Sequence, residues 1–179
     1  VTLDLDAVDV FAAQAHAGQQ REVESGPPVP YIVHPRAVRD VLLAHPDPRA
    51  REPWMLAAAL LHDVLEDCPV HPTTLSDHFG AEVSAAVRAL SKKMPAVPGA
   101  EKTDAQYWQV LAQSPLSIRR IKAADRIDNL RACVAWPGAP PSLRYLRETP
   151  VHVLPLVVDD AHLYVRLAEL LAELRRRLP

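Results

Sequence analysis

The stretch Leu60-Leu61-His62-Asp63-Val64-Leu65-Glu66-Asp67 sets four side chains able to bind a metal or move a proton into an otherwise apolar segment. Trp54-Met55-Leu56-Ala57-Ala58-Ala59 leads into it, a strong helix-forming run behind Pro53, which suits a first-turn position. Residues four apart share a helix face, so a continuous helix aligns His62 with Glu66 and Asp63 with Asp67, beside a Leu61/Leu65 column. Pro69 forbids further helix and leaves the two acids on the last turn. The helix dipole favours cations at that end, so buried acids there need a compensating positive charge, and a metal ion would serve. The plain alternative is an acidic, surface-facing helix end with a satisfied histidine, the ordinary reading of an isolated His-Asp pair.

The rest of the chain reads as helices joined by proline-rich breaks. Residues 4–20 form a helix with Val8, Phe11, Ala12 and Ala15 on one face, and His16 near its end is a packed or capping residue. Residues 21–33, with Gly26, Pro27, Pro28 and Pro30, form a loop that Arg21 opens. His34-Pro35 then starts a helix through Val38, Val41 and Leu42, which His45-Pro46-Asp47-Pro48 ends; His45 reads as a surface residue. Short helices follow at 73–80 and 81–91, with His71 and His78 reading as structural, then an exposed loop at 92–103 and a helix at 104–112. Ser114 is a fitting cap and Pro115 a fitting first residue for the next helix, which carries Lys122, Asp125 and Asn129. Asp125 lies beside the apolar stripe of its own helix, so its charge needs a partner, and a structural ion pair with Lys122 or Arg126 is the plain reading. Beyond a break at 137–141 come a short helix at 142–148, an apolar stretch at 151–158 and an amphipathic helix at 159–178. No strand is legible, and the pattern predicts an all-α bundle of about eight to ten helices.

Bulk properties narrow the function. The 179 residues are enough for one domain with a substantial core, and 49% hydrophobic and 23% charged residues are ordinary for a globular protein. A net charge of -2 argues against a broad nucleic-acid or anionic-membrane surface, and the Trp54–Leu61 run is far too short to span a membrane. Cys68 and Cys133 form no CxxC, so neither a disulfide framework nor a zinc cage is indicated. The acids in Val1-Thr2-Leu3-Asp4-Leu5-Asp6 do not suit a signal peptide, and the chain reads as cytoplasmic.

Three separate segments supply His34, His62-Asp63 and Asp125, a mixed nitrogen and oxygen set that suits Mn²⁺, Fe²⁺, Co²⁺ or Zn²⁺ better than Mg²⁺ or Ca²⁺. The order His…His-Asp…Asp on helices resembles the HD-domain metal-dependent phosphohydrolases. The likeness sharpens in four ordered motifs: Ala15-His16-Ala17-Gly18-Gln19-Gln20-Arg21, Pro30-Tyr31-Ile32-Val33-His34-Pro35, the 60–67 stretch, and Ile121-Lys122-Ala123-Ala124-Asp125-Arg126-Ile127-Asp128-Asn129-Leu130-Arg131. Together they resemble the hydrolase domain of the Rel/Spo-type alarmone enzymes, and the chain is similar to the stand-alone small alarmone hydrolases of the stringent response. The likeness covers residues 5–135 as motifs and extends loosely to 156, as one hydrolase domain closed by the 159–178 helix.

That resemblance implies an all-helical fold and a single Mn²⁺ held by His34, His62, Asp63 and Asp125. Glu66 and Asp67 match the family's catalytic acid pair. Arg21 and Asn129 match residues that contact the nucleoside, Lys122 would also bind substrate, and Tyr145 lies near a family tyrosine at the pocket rim. The implied reaction is hydrolysis of the 3′-pyrophosphate of guanosine tetra- or pentaphosphate, giving GDP or GTP and pyrophosphate. In it, the ion acidifies a water that Glu66 and Asp67 orient and deprotonate. The partner is thus a small nucleotide, with neither nucleic acid nor membrane involved. Glu22 stands where the family has a basic residue, the Arg21–Tyr31 loop is longer, and Cys68 replaces a threonine. Two other readings compete: an HD phosphohydrolase acting on adenine alarmones or NADPH, and a non-catalytic nucleotide sensor. The intact metal set and acid pair count against the sensor.

Overall fold

The computed structural model describes residues 3–178, so Val1 and Thr2 of the acidic opening segment and Pro179 lie outside the described residues. Among the described residues, ten α-helical segments follow one another: α1 (Leu5–Ala15), α2 (Val33–Leu43), α3 (Pro53–Leu61), α4 (Val64–Asp67), α5 (Pro72–Phe79), α6 (Ala81–Leu90), α7 (Asp104–Gln113), α8 (Leu116–Ala135), α9 (Ser142–Glu148) and α10 (Ala161–Arg177). The all-α expectation holds.

Helix α3 is buried at every residue from Met55 to Leu61. A helix that is apolar all round can only be stable when enclosed, and α1, α2, α6 and α8 enclose this one. Helix α8 is the other organiser, packed against α2 and α10 while burying Arg120, Asp125 and Arg126 alongside Ile121, Ile127 and Leu130. One contiguous apolar core runs from Val8 through Leu174. Among the described residues, no helix is long and apolar enough to cross a membrane.

Four local expectations need correction. The proline-rich loop contains a small antiparallel ladder, β1 (Gln20–Arg21) with β2 (Val29–Pro30), pairing Gln20 with Pro30 and Arg21 with Val29. A two-residue strand is too short to leave any periodicity in the sequence. The 60–67 helix is not continuous but lapses at His62 and Asp63 between α3 and α4. His62 Nδ1 takes the carbonyl of Ala59 at 2.8 Å, the acceptor that a continuing helix would offer to the Asp63 N–H. Ser114 closes α7, its hydroxyl donating to the Val110 carbonyl, and Pro115 caps α8.

The fourth correction is His45, which is buried. The Asp47 N–H donates to its Nδ1, so Nε2 carries the proton and donates to Asp160 Oδ1 at 3.1 Å. Asp160 caps α10 through the Leu163 N–H and also takes Arg120 Nε at 2.6 Å, while Arg120 Nη2 reaches Asp47 at 2.8 Å. Charges removed from water must be paired, and this network ties α8 and α10 to the turn after α2.

Burial works to raise the Asp160 pKa, but His45, the Leu163 N–H and Arg120 outweigh it and hold the carboxyl below its ordinary range. A depressed carboxylate contributes stability that is complete above the unfolded value of about 3.9 and is lost as pH falls through the folded value. Asp160→Ala should therefore cost about 3 kcal/mol near neutral pH, because it strips a partner from the buried Arg120. Urea titrations at pH 7 and pH 3 should show the wild-type-to-variant gap narrowing in acid; a gap independent of pH would mean the charge network is not what stabilises this corner.

Candidate metal centre and its two cavities

The lapse after α3 turns His62 inward. A carbonyl can only accept, so Nδ1 of His62 carries its proton and Nε2 is a bare lone pair. That Nε2 is buried and without a hydrogen-bond partner, although Asp63 Oδ2 lies 3.0 Å away and Asp125 Oδ1 3.8 Å away. His34, in the first turn of α2, repeats the arrangement. Its Nδ1 donates to Asp128 Oδ2 at 2.7 Å, leaving Nε2 at 3.6 Å from Asp63 Oδ2 and 3.3 Å from Asp125 Oδ1.

Two imidazole lone pairs thus face two carboxylates, an arrangement that repels itself unless a cation sits between them. Burial opposes protonating His34, yet Asp125 and Asp128 push its pKa up to about 9, so the site attracts positive charge strongly. Ligand atoms of His34, His62 and Asp63 lie within 4.8 Å of one another. Neutral imidazole with carboxylate is a fitting donor set for a divalent transition ion, and a ligating histidine usually donates its other N–H to a carboxylate or carbonyl, as both do here.

Asp125, on α8, stands beside that tight group and is held by its own helix. Lys122 Nζ contacts Oδ2 at 2.8 Å and Asn129 Nδ2 donates to Oδ1 at 2.5 Å. Burial raises the Asp125 pKa, but Lys122 and His34 override it and keep the carboxyl ionised. Arg21, from β1, donates to Asp128 at 2.7 Å and to Asn129 Oδ1 at 3.0 Å. A relay therefore runs from Arg21 through Asp128 to His34. The hydroxyl of Tyr31 donates to Asp63 Oδ2 at 2.6 Å.

The acid pair sits on α4, immediately beyond. Glu66 accepts the Lys92 backbone N–H at 2.8 Å, and the Asp67 carbonyl accepts from Gln19, whose own oxygen faces the buried His16. Burial raises the Glu66 pKa despite that N–H, and burial followed by the charge of Asp63 raises that of Asp67. Raised carboxylates beside a cluster of ligands mark a site suited to proton transfer.

Two cavities meet here. A charged one of about 660 Å³ is lined by His34, His62, Asp63, Glu66, Asp67 and Asp125 together with Lys92, Lys122, Arg126 and Arg144. A largely apolar one of about 510 Å³ has Arg21, Cys133, Trp136 and Pro140 in its walls. Tyr31, Asn129 and Tyr145 border both. The structure thus gathers every candidate metal, acid and substrate residue named from the sequence around one region, with Arg21 on the apolar cavity alone and its guanidinium engaged by protein groups. Sequence reasoning missed Tyr31 and Asp128 as individual residues, although both stand inside quoted motifs. It offered Arg126 only as an ion-pair partner of Asp125, whereas Arg126 pairs with Glu148 at 3.2 Å and lies 4.2 Å from the Tyr145 ring centroid.

Comparison with known proteins agrees with this geometry. A family model described as HD domain matches residues 8–150. The chain is 39% identical over 127 residues to a guanosine-3′,5′-bis(diphosphate) 3′-pyrophosphohydrolase of Vibrio cholerae, covering 68% of this chain and 17% of that protein. It is 35% identical over 127 residues to the Homo sapiens protein of the same description, covering 71% of this chain and 67% of that one. The chain therefore spans under a fifth of the bacterial relative and about two thirds of the human one. Among solved structures, a metazoan ortholog of SpoT, described as hydrolysing ppGpp, superposes with a TM-score of 0.75 over the whole of both chains at 24% identity, which speaks to the fold.

The relay through Asp128 predicts a graded response to mutation. Asp128→Ala, which touches no ligand atom directly, should weaken binding of a divalent ion about 10- to 100-fold, whereas His62→Ala should abolish it. Calorimetric titration of chelator-treated protein checks both; equal affinity in Asp128→Ala and wild type would detach Asp128 from the centre.

Proposed function

The chain belongs to the HD-domain family, and we propose that it hydrolyses the 3′-pyrophosphate of guanosine tetra- or pentaphosphate to GDP or GTP and pyrophosphate, using one Mn²⁺. The observation that carries the reading is the placement of the raised acids Glu66 and Asp67 next to paired imidazoles that demand a cation, at the end of a charged cavity joined to an apolar one. An apolar slot suits a nucleobase and a charged cavity suits its phosphates.

In this reading His34, His62, Asp63 and Asp125 hold the ion, which when bound acidifies water and polarises a phosphoryl oxygen. Tyr31 fixes the orientation of Asp63, and Lys122 with Asn129 fixes that of Asp125. Glu66 and Asp67 take the proton from the attacking water. Water adds at the 3′-linked phosphorus, the bond to the ribose 3′-oxygen breaks, and the proton passes to that leaving oxygen. Lys92 and Lys122 line the same cavity and offset phosphate charge. Arg21 and Asn129 border the apolar cavity, where they meet the nucleoside, and Tyr145 closes the rim between the two.

Proton transfer by a positioned group contributes about 10² to 10⁴ in rate. Glu66→Gln and Asp67→Asn keep shape while removing basicity, so each should retain Mn²⁺ and nucleotide binding and lose turnover by that order. A pyrophosphate-release assay with Mn²⁺, run beside calorimetry, tests it. Near-normal turnover in both variants would move the proton chemistry elsewhere, and loss of the ion in either would make that residue a ligand.

A further inference from the structure

The cations of the charged cavity differ in what they have left to offer a ligand. Lys92 Nζ is 2.5 Å from Asp104 Oδ1, Lys122 Nζ is 2.8 Å from Asp125 Oδ2, and Arg126 Nη2 is 3.2 Å from Glu148 Oε2. Each is already matched by a carboxylate of the protein. Arg144 is the exception: it lines the same cavity, is exposed, and has no carboxylate at ion-pair distance among the described residues. It is nonetheless placed. Its Nη2 donates to the Tyr145 hydroxyl at 3.3 Å, and its guanidinium lies 5.0 Å from the centre of that ring. Tyr145 borders both cavities, so Arg144 stands beside the partition between the apolar slot and the charged one.

An exposed guanidinium that lines a charged cavity, stands over a tyrosine and is matched by no carboxylate among the described residues is suited to a phosphate. Resting on the function proposed above, the metal centre, the acid pair, Lys92 and Lys122 engage the 3′ end of the nucleotide, and the 5′-phosphates need a counter-charge of their own. We propose that Arg144 binds the 5′-phosphates of the substrate and thereby selects nucleotides phosphorylated at both the 5′ and 3′ positions. On this proposal Arg144 acts on binding and not on the chemical step.

The test is steady-state kinetics of the full chain with Mn²⁺ on three guanosine 3′-diphosphates that carry a 5′-diphosphate, a 5′-monophosphate or a free 5′-hydroxyl. In the wild type, KM should rise stepwise as the 5′-phosphates are removed. Arg144→Gln should raise KM for the 5′-diphosphate about tenfold, as loss of a charge-assisted hydrogen bond implies, leave kcat nearly unchanged, and leave the 5′-hydroxyl substrate unaffected. Arg144→Lys should recover part of the discrimination. An equal loss on all three substrates would overturn the inference and make Arg144 a structural support for Tyr145; no change on any would overturn it outright. Wild-type protein that turns over none of the three would overturn the parent reading instead. Calorimetry with GDP against guanosine would then decide Arg144 alone, since a preference for GDP that survives in Arg144→Gln refutes it and one that vanishes upholds it.

Discussion

Two imidazole lone pairs aimed at two carboxylates are the constraint around which this structure is arranged. The orientation of each ring is enforced from behind, by the Ala59 carbonyl for His62 and by the Asp128 carboxylate for His34. Neither ring can relieve the repulsion by turning over without giving up the bond that holds it. The only remaining relief is positive charge between the rings and the acids, from a proton or a metal ion. The lifted pKa of His34 and the depressed pKa of Asp125 express that same demand from its two sides. Burial alone would drive both groups towards their neutral forms.

Such a cluster needs a scaffold that does not yield, and α3 and α8 provide it. Helix α3 is fixed by apolar packing on all sides, so the lapse at its end always falls at the same place. Helix α8 carries its charges inside, and each is answered: Asp125 by Lys122 and Asn129, Arg126 by Glu148, Arg120 by Asp160 and Asp47. Removing any one member of such a pair leaves its partner buried and unmatched, which costs more than the pair itself contributes. The stretch Thr149–Val153 adopts a π-helical turn, and Thr149 accepts from Arg126, so that irregular segment is tied to α8 near the cavity.

What could be read from the sequence follows from this. A candidate metal-ligand set is recognised by residue type, and His34, His62-Asp63 and Asp125 stand out in the sequence because few other roles suit those residues in apolar helices. The helical architecture declares itself through periodicity and through prolines at helix starts, as at Pro53. Asp128 stayed silent because its meaning comes from meeting His34 and Arg21, both more than ninety positions away in the chain. His45 was misread for the same reason. A His-Pro-Asp-Pro turn looks exposed, and its partners Arg120 and Asp160 come from α8 and the cap of α10. The lapse at His62 was invisible because a side-chain bond to Ala59 leaves no trace in hydrophobic patterning.

Asn129 shows how closely ion and ligand are linked in this fold. Its amide nitrogen holds Asp125 and its amide oxygen accepts from Arg21, while the residue itself borders both cavities. Both of its functional groups are therefore committed before any nucleotide arrives. The guanidinium edge of Arg21 is committed likewise, to Asp128 and Asn129. On the function proposed above, a base entering the apolar cavity can meet Arg21 across the flat face of the guanidinium, or through the N–H groups that the network leaves unused. Glu22 and Glu24 line the same cavity and add carboxylate acceptors to its wall. A carboxylate can accept from guanine N1–H and N2–H or from adenine N6–H, so such acceptors do not by themselves fix the base. The acidic residue at position 22, where a basic one is usual in the resembling family, stands in the wall of the apolar cavity, and the loss of a positive charge there suggests looser discrimination between bases on the function proposed above.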